Sequence, residues 1–218
     1  YHRAVQAIHN FCVNELGGIY LDITKDRLYT CKSNSHARRS AQTSLDIVLN
    51  VLVRLIAPIL SYTAEEIWQS STNLLDQEKS VFLSLFSSKA QQTKANISKQ
   101  DWKRIFEIKE EVNQTIERLR NENKLKGSLD AAVTLSLSSD DKKIIDKLGN
   151  ELHFLFITSN ASTVLDDDFK VEISISEYEK CTRCWHRDDS VGTIEKHPEI
   201  CSRCISNIDE DGEKREFV

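Results

Sequence analysis

Four cysteines stand in two pairs, Cys181 with Cys184 and Cys201 with Cys204, and two residues separate the members of each pair. A two-residue gap lets both thiolates of one tight turn reach neighbouring corners of a tetrahedron, about 2.3 Å from a metal ion. The 16 residues between the pairs are within the range of zinc ribbons and knuckles. The spacing therefore predicts one Zn²⁺ ion bound by all four thiolates.

Four thiolates complete the shell of a zinc ion. Because no position then stays open for water, the site is predicted to be structural, without Lewis-acid catalysis or water activation by the metal. Three alternatives remain: a redox-active dithiol, an iron–sulfur cluster, or a shell in which His186 or His197 replaces one cysteine. A module this poor in large apolar side chains is expected to unfold when the metal is chelated.

The two other cysteines, Cys12 and Cys31, lie far from the pairs and among apolar residues. We expect them to be free thiols, buried or half-buried, without a chemical role. Such a pattern is typical of a reducing compartment and predicts a cytoplasmic protein.

An aromatic residue and several cations surround the cysteine pairs. Trp185 and His186 follow the first pair directly, and Arg183 and Arg203 lie inside the two pairs. On a metal-fixed turn, a tryptophan beside cations can stack on an unpaired nucleobase, and these four residues are candidates for RNA contact. The alternative is that Trp185 covers the thiolates and packs the module onto the preceding strands.

The elements before the cysteines are predicted to be mostly helical. Apolar residues at helical spacing predict a first helix that ends at Gly17-Gly18 and a second over about 35–57, stopped by Pro58. Thr63 and Glu66 have the spacing of a capping box that opens a third helix. A polar stretch over 87–97 then precedes an amphipathic helix of about 101–123.

Residues 131–137 and 171–175 alternate apolar and polar side chains, as strands do, with a helix over about 140–148 between them. The spacing of apolar residues in 152–157 does not decide between a helix and a strand. The sequence predicts a mainly α fold: a helical bundle, a small α/β junction and a C-terminal Cys₄ zinc ribbon or knuckle. The predicted boundaries are 1–123, 124–177 and 178–218.

The net charge and the hydropathy of the chain argue against some classes of function. The net charge is −5, although the first 130 residues hold 18 Lys and Arg against 15 Asp and Glu. The chain lacks the high isoelectric point of many nucleic-acid binders, so RNA binding would need a local basic surface. The longest apolar run, 47–60, is interrupted by Asn50, Arg54 and Pro58, and no segment is predicted to span a membrane.

Several strings together resemble the C-terminal part of bacterial isoleucyl-tRNA synthetases, a family of class I aminoacyl-tRNA synthetases. FCVNELGGIYLDITKDRLY, ARRSAQTSLDIVLNVLVRLIAPILSYTAEEIW and NKLKGSLDAAVTL are similar to the helical anticodon-binding domain and the junction after it. CTRCWHRDD, ICSRC and GEKREF resemble the terminal zinc module of that family. The resemblance covers nearly all of the chain.

The resemblance implies a role in holding the anticodon stem and loop of an isoleucine-accepting tRNA. The family attaches isoleucine to tRNA with ATP, but the class I signatures HIGH and KMSKS are absent, so ATP is expected to bind only in a catalytic domain outside this chain. Because the chain starts at Tyr1, inside the family's bundle, we expect an upstream helix to be missing. The parent enzyme is expected to be monomeric, and this piece to self-associate through the exposed helical face.

The resemblance also makes basic residues outside the module candidates for phosphate contact. They are Arg38, Arg39, Lys25, Arg27, Lys214 and Arg215. For Arg38 and Arg39 the alternative is a solvated helix face; for Lys25 and Arg27 it is an internal network with Asp22 and Asp26. A competing hypothesis for the whole module is a docking clamp that does not read RNA bases.

Overall fold

The computed structural model describes residues 1–71, 78–86 and 96–218. These residues belong to two compact units, one formed by Tyr1–Arg38 with Asn96–Val218 and the other by Arg39–Ala95. The division into 1–123, 124–177 and 178–218 stays a prediction. Most of the predicted polar stretch, 87–95, lies outside the described residues.

The first unit begins with one continuous helical path. Helix α1 (His2–Asn10) leads into a π-helical segment, Phe11–Leu21, and then into α2 (Asp22–Thr30). The prediction of a helix end at Gly17-Gly18 was therefore wrong. The wide i→i+5 turns bring the backbone so close that a Cβ on Gly17 would lie 3.0 Å from the carbonyl oxygen of Cys12. The glycines relieve crowding inside the helix and do not end it.

The second unit contains α3 (His36–Ile56), which begins in the first unit, α4 (Ser61–Ser70) and a short 3₁₀ turn, Val81–Leu83. Val53, Ala57, Ala64, Trp68 and Val81 form its buried cluster. The predicted helix over 35–57 is confirmed, but the Thr63 capping box is not. Helix α4 begins two residues before Thr63, which places that exposed side chain within the helix.

A capping box does open α5 (Lys99–Asn121), the predicted amphipathic helix. The Ser98 hydroxyl accepts from the backbone N–H of Asp101, and the Asp101 carboxylate accepts from the backbone N–H of Ser98. The buried face of the helix carries Ile105, Ile108, Val112 and Ile116. Its apolar period was thus read correctly, whereas its Ser98 cap was not predicted.

We expect the substitution Ser98→Ala to lower the free energy of unfolding by about 1 kcal/mol, since it removes a side-chain acceptor from an orphan helix N–H. Thr63→Ala, in the misassigned box, is expected to change it by less than about 0.5 kcal/mol. Urea denaturation of both variants measures the difference. Equal effects would contradict the assignment of the cap.

Helix α5 packs with a three-stranded sheet of order β2-β1-β3. Strand β1 (Ala131–Leu137) lies in the centre, parallel to β2 (Asn160–Leu165) and antiparallel to β3 (Lys170–Ile175). Alternate residues of β1 are buried, as its sequence pattern predicted. Val133, Leu135 and Leu137 form the core together with the buried face of α5.

A crossover of three short helical pieces connects the parallel strands. These are α6 (Ser139–Ile145), a 3₁₀ stretch (Asp146–Glu151) and α7 (Leu152–Phe156), which resolves the undecided segment as helix. Strand β2 was not predicted. Its sequence, NASTVL, shows no apolar alternation because most of its side chains are exposed at the edge of the sheet.

The last helix, α8 (Ser202–Asp209), follows the second cysteine pair. The predicted mainly α fold with a small α/β junction and a C-terminal cysteine cluster is confirmed. None of the helices in 1–71, 78–86 and 96–218 has the length and apolarity needed to cross a bilayer.

Candidate metal centre

The four paired cysteines converge on one buried point. Their sulfur atoms all lie within 4.8 Å of one another. The Sγ atoms of Cys181 and Cys204 are 3.7 Å apart, and those of Cys184 and Cys201 are also 3.7 Å apart. A tetrahedral zinc ion with Zn–S bonds of about 2.3 Å requires S···S separations of about 3.8 Å. The cluster therefore has the donors and the size for one Zn²⁺ ion, and it is a structural zinc site with four thiolate ligands.

Short local turns place the ligands. In the first pair, the Trp185 N–H donates to the carbonyl of Cys181 at 2.9 Å; at the second, the Ile205 N–H donates to the carbonyl of Cys201 at 3.1 Å. Two donors also approach the sulfurs: the Cys201 N–H at 3.4 Å from Cys181 Sγ, and Arg183 Nη1 at 3.5 Å from Cys204 Sγ. Donors of this kind stabilise thiolate charge around a metal.

The two histidines near the cysteines are not ligands in this arrangement. His186 is buried, with Nδ1 3.3 Å from the carbonyl oxygen of Cys184 and its ring edge against Phe154. His197 Nε2 lies 3.1 Å from the Asp209 carboxylate. Four sulfurs already complete the tetrahedron, so neither imidazole is needed.

Trp185 has a backbone conformation that is unusual for a tryptophan. Its φ is +69°, in the left-handed region that glycine prefers, and its side chain is nevertheless 61% exposed. The Lys180 ammonium group lies 5.5 Å from the centre of the indole ring. The indole therefore does not serve as a lid over the thiolates. A bulky residue in a strained conformation that gains little burial points to a function for the side chain.

An ion-pair network fastens the zinc module to α2. Asp26 accepts from Arg203 at 2.9 and 3.1 Å and from Arg215 at 2.6 Å. Arg203 also donates to Glu213 at 3.1 Å, and the Arg215 guanidinium carbon lies 3.6 Å from the centre of the Phe154 ring. The side chain of Arg203 is 16% exposed and that of Arg215 only 1%. Both guanidinium groups thus serve internal packing.

Glu151 makes a second connection, to the residues after the module. Its carboxylate accepts from the backbone N–H groups of Glu216, Phe217 and Val218 at 2.5, 2.9 and 2.7 Å. The buried Arg27 guanidinium lies 3.8 Å from the same carboxylate. Glu151 thereby joins α2 and the last residues to the start of α7.

Burial changes the proton affinities in this region. Burial alone would raise the pKa of Asp26, but Arg203 and then Arg215 outweigh it, so that the pKa lies below its usual value. Burial, with the positive charges of His186, Arg203 and Arg215, lowers the pKa of His153 to about 4. Burial and the neighbouring Glu213 carboxylate raise the pKa of the Cys31 thiol to about 12. Asp26 is thus ionised at neutral pH, and His153 and Cys31 are uncharged.

The remaining predicted residues have different environments. Lys25 pairs with Asp22 at 2.6 Å on the surface, which agrees with the internal-network alternative. Lys214 and Arg39 are exposed, whereas Arg38 and Arg183 are half-buried. Cys12 is half-buried and Cys31 buried, both as free thiols, as expected. Sequence reasoning named Asp26 only as a partner of Lys25 and Arg27 and did not single out Glu151, because the partners of both carboxylates are far away in the chain.

Comparison with known families identifies the class. The model of the anticodon-binding domain of tRNA ligases matches residues 1–135, and the chain belongs to this family. The model of a zinc finger found in FPG and IleRS matches residues 179–207, which include all four cysteine ligands.

The similar curated proteins narrow the class further. The chain is 45% identical to an isoleucine–tRNA ligase of Coxiella burnetii (strain RSA 331 / Henzerling II), over 98% of its own length and 24% of that protein. It is 41% identical to isoleucine–tRNA ligases of Francisella philomiragia and of Francisella tularensis subsp. novicida, over its full length and 25% of theirs. It spans about a quarter of the length of these relatives.

Proposed function

We propose that this chain is the part of an isoleucine–tRNA ligase that binds the anticodon stem and loop of an isoleucine-accepting tRNA. In this proposal the parent enzyme uses ATP to attach isoleucine to tRNA, and the chemistry takes place outside the chain. The zinc ion fixes a knuckle that presents Trp185 to an unpaired base. The exposed indole at positive φ, on a rigid metal site, is the observation that carries the proposal.

Solvent exposure decides which of the basic side chains are candidates for contact with an RNA strand. Lys180 beside the indole, Arg183 within the first cysteine pair, and Lys214 are candidates for phosphate contact in the first unit, and Arg38 and Arg39 are candidates on α3. Such contacts contribute affinity and salt dependence without reading sequence. His186, Arg27 and Arg215 are left out of the proposed surface because they are buried, and Arg203 because its guanidinium is held by Asp26 and Glu213.

We expect Trp185→Ala to weaken binding of the anticodon stem-loop by about 5- to 150-fold, the loss of one stacked base. Trp185→Gly is the sharper variant, since glycine adopts the positive φ without strain. It should retain zinc and be at least as stable as the natural chain, while it loses the same affinity. Filter binding and metal analysis of both variants measure this.

The control for this pair is Trp185→Phe, which keeps an aromatic face and should retain part of the affinity. If both small variants bind RNA as well as the natural chain does, with zinc intact, the stacking role is wrong. The docking-clamp alternative would then be preferred.

The same proposal places the protein in the cytoplasm, in agreement with two free thiols and four metal-binding cysteines, none of which forms a disulfide. The parent enzyme is proposed to be monomeric. We propose that the isolated chain self-associates through α1, which buries none of its residues and exposes Val5. Sedimentation at several concentrations tests that association.

A further inference from the structure

A polar cleft of about 480 Å³ lies beside the zinc knuckle. Its walls are the start of β2, the turn at Gly149 and Asp188 of the knuckle. Strand β2 is at the edge of the sheet, and within the described ranges no strand pairs with its outer side. The cleft therefore borders backbone groups that are open to a ligand. Its size is suited to a group as large as a nucleoside.

The side chains around the cleft favour a neutral ligand with N–H donors. The lining contains the carboxylates of Asp146 and Asp188 and the amides of Asn150 and Asn160, and no lysine or arginine. Lys142 already binds Asp146 at 2.9 Å. Because Lys142 also donates to Thr163 at 3.0 Å, its charge is already engaged, and the lining itself offers a phosphate group no cation, so an anion is disfavoured.

Asp188 has one oxygen available for such a ligand. Its Oδ1 atom accepts from the Ser190 N–H at 3.0 Å and from the Ser190 hydroxyl. Among the described residues nothing donates to its Oδ2 atom. A carboxylate oxygen in this state is a strong acceptor for the amino or imino groups of adenine, cytosine or guanine.

The Gly149 turn also fits a ligand site. Gly149 has φ +55° and ψ −132°, a conformation that other residues rarely adopt, although an added Cβ would meet nothing within 4 Å. The backbone conformation, and not crowding, thus requires the glycine. Glycine adopts this conformation without strain, and the absence of a side chain leaves this wall of the cleft open.

The cleft and the indole belong to the same small surface. Asp188 follows Trp185 by three residues, which span at most about 11 Å of chain. The Arg187 N–H donates to the Ser159 hydroxyl at 2.6 Å, and the Asp188 N–H donates to the Glu179 carbonyl at 3.1 Å. The first bond holds the knuckle against the residue that precedes β2. Two nucleotides of one RNA loop can therefore reach both places.

We propose that this cleft binds one unpaired nucleobase through its N–H donors to Asp188, beside the base that stacks on Trp185. The inference rests on the proposed RNA-binding function and adds a base-reading site to it. The site discriminates bases by hydrogen bonding, whereas the indole binds any base by stacking. Uracil, which offers fewer N–H donors on its base-pairing edge than the other bases do, is expected to bind poorly in the cleft.

The variant Asp188→Asn tests the proposal with little change of shape. It keeps the oxygen that accepts from Ser190 and replaces the free oxygen by an N–H donor. We expect about tenfold weaker binding of the anticodon stem-loop, the loss of one good base contact. Asp189→Asn, an exposed neighbour with the same change of charge, is the control and is expected to bind at least as well as the natural chain.

Stem-loops with an abasic site at each loop nucleotide in turn locate the contact. For one position, and only that one, Asp188→Asn and the natural chain should bind the abasic RNA equally. If Asp188→Asn loses affinity by the same factor for every abasic RNA, the proposal is overturned. Unchanged affinity of Asp188→Asn for the intact loop also overturns it, and the edge of β2 then remains available for a peptide strand. Trp185→Ala in the same assay distinguishes the failure of this proposal from the failure of the proposed RNA-binding function. If Trp185→Ala weakens RNA binding and Asp188→Asn does not, the RNA-binding function is retained and the base site in the cleft is rejected.

Discussion

Removal of zinc is expected to unfold the knuckle and α8 while the sheet and α5 keep their structure. Binding of structural zinc contributes roughly 10 to 16 kcal/mol in small zinc modules at neutral pH. The apolar cluster around the metal is small: it consists of the four cysteines, with Val191 and Ile200 partly buried against them. Without the ion, four thiols at 3.7 to 4.8 Å have no reason to stay together.

Hydrogen exchange is the appropriate measurement for this prediction. The amides of Trp185 and Ile205 bond within the module, and that of Val133 lies in the central strand. Chelation, or the substitution Cys184→Ser, should remove the protection of the first two and leave that of the third. Cys12→Ser is the matched control and should retain one zinc per chain. Protection of Trp185 and Ile205 after complete loss of metal would contradict a structural role.

The substitution Asp26→Ala is expected to be strongly destabilising. It leaves the buried Arg203 and Arg215 cations without their shared carboxylate, and breaking a buried pair from one side costs about 3 to 5 kcal/mol. Asp22→Ala, which breaks only the exposed pair with Lys25, should cost less than about 1 kcal/mol. Denaturant unfolding of both variants gives the comparison, and similar losses would contradict the assigned importance of the network.

The pH dependence of stability provides a second readout of Asp26. Because its pKa is lowered in the folded state, its contribution is complete above the ordinary pKa of an aspartate, about 3.9, and is lost as the pH falls through the lower folded value. The difference in unfolding free energy between the natural chain and Asp26→Asn should therefore be constant near neutrality and shrink below about pH 4. Taking the difference removes the separate effect of thiolate protonation, which both proteins share.

Sequence reasoning succeeded where the signal was local and periodic. The spacing of the cysteines predicted the metal centre, and alternation of Val133, Leu135 and Leu137 predicted the central strand. Both patterns arise because one short stretch of backbone alone determines where its side chains point.

It failed where neighbours far along the chain decide the outcome. Asp26 and Arg203 are 177 residues apart, and nothing in either local sequence indicates the pair. Edge strand β2 exposes most of its residues, so it has no alternation to detect. Thr63 and Ser98 both head plausible capping boxes, and only the packing of the helices decides which one is used. The exposure of Trp185 likewise had to come from the structure.

The π-helical segment Phe11–Leu21 sets the angular phase between α1 and α2. One residue corresponds to a rotation of about 100° around a helix axis. A change of length near Gly17 would therefore turn α1 relative to α2 by about 100° per residue. Because α1 buries none of its residues whereas α2 buries Ile23, Thr24 and Arg27, the Asp26 carboxylate would keep its arginines and the exposed face of α1 would be the part that turns.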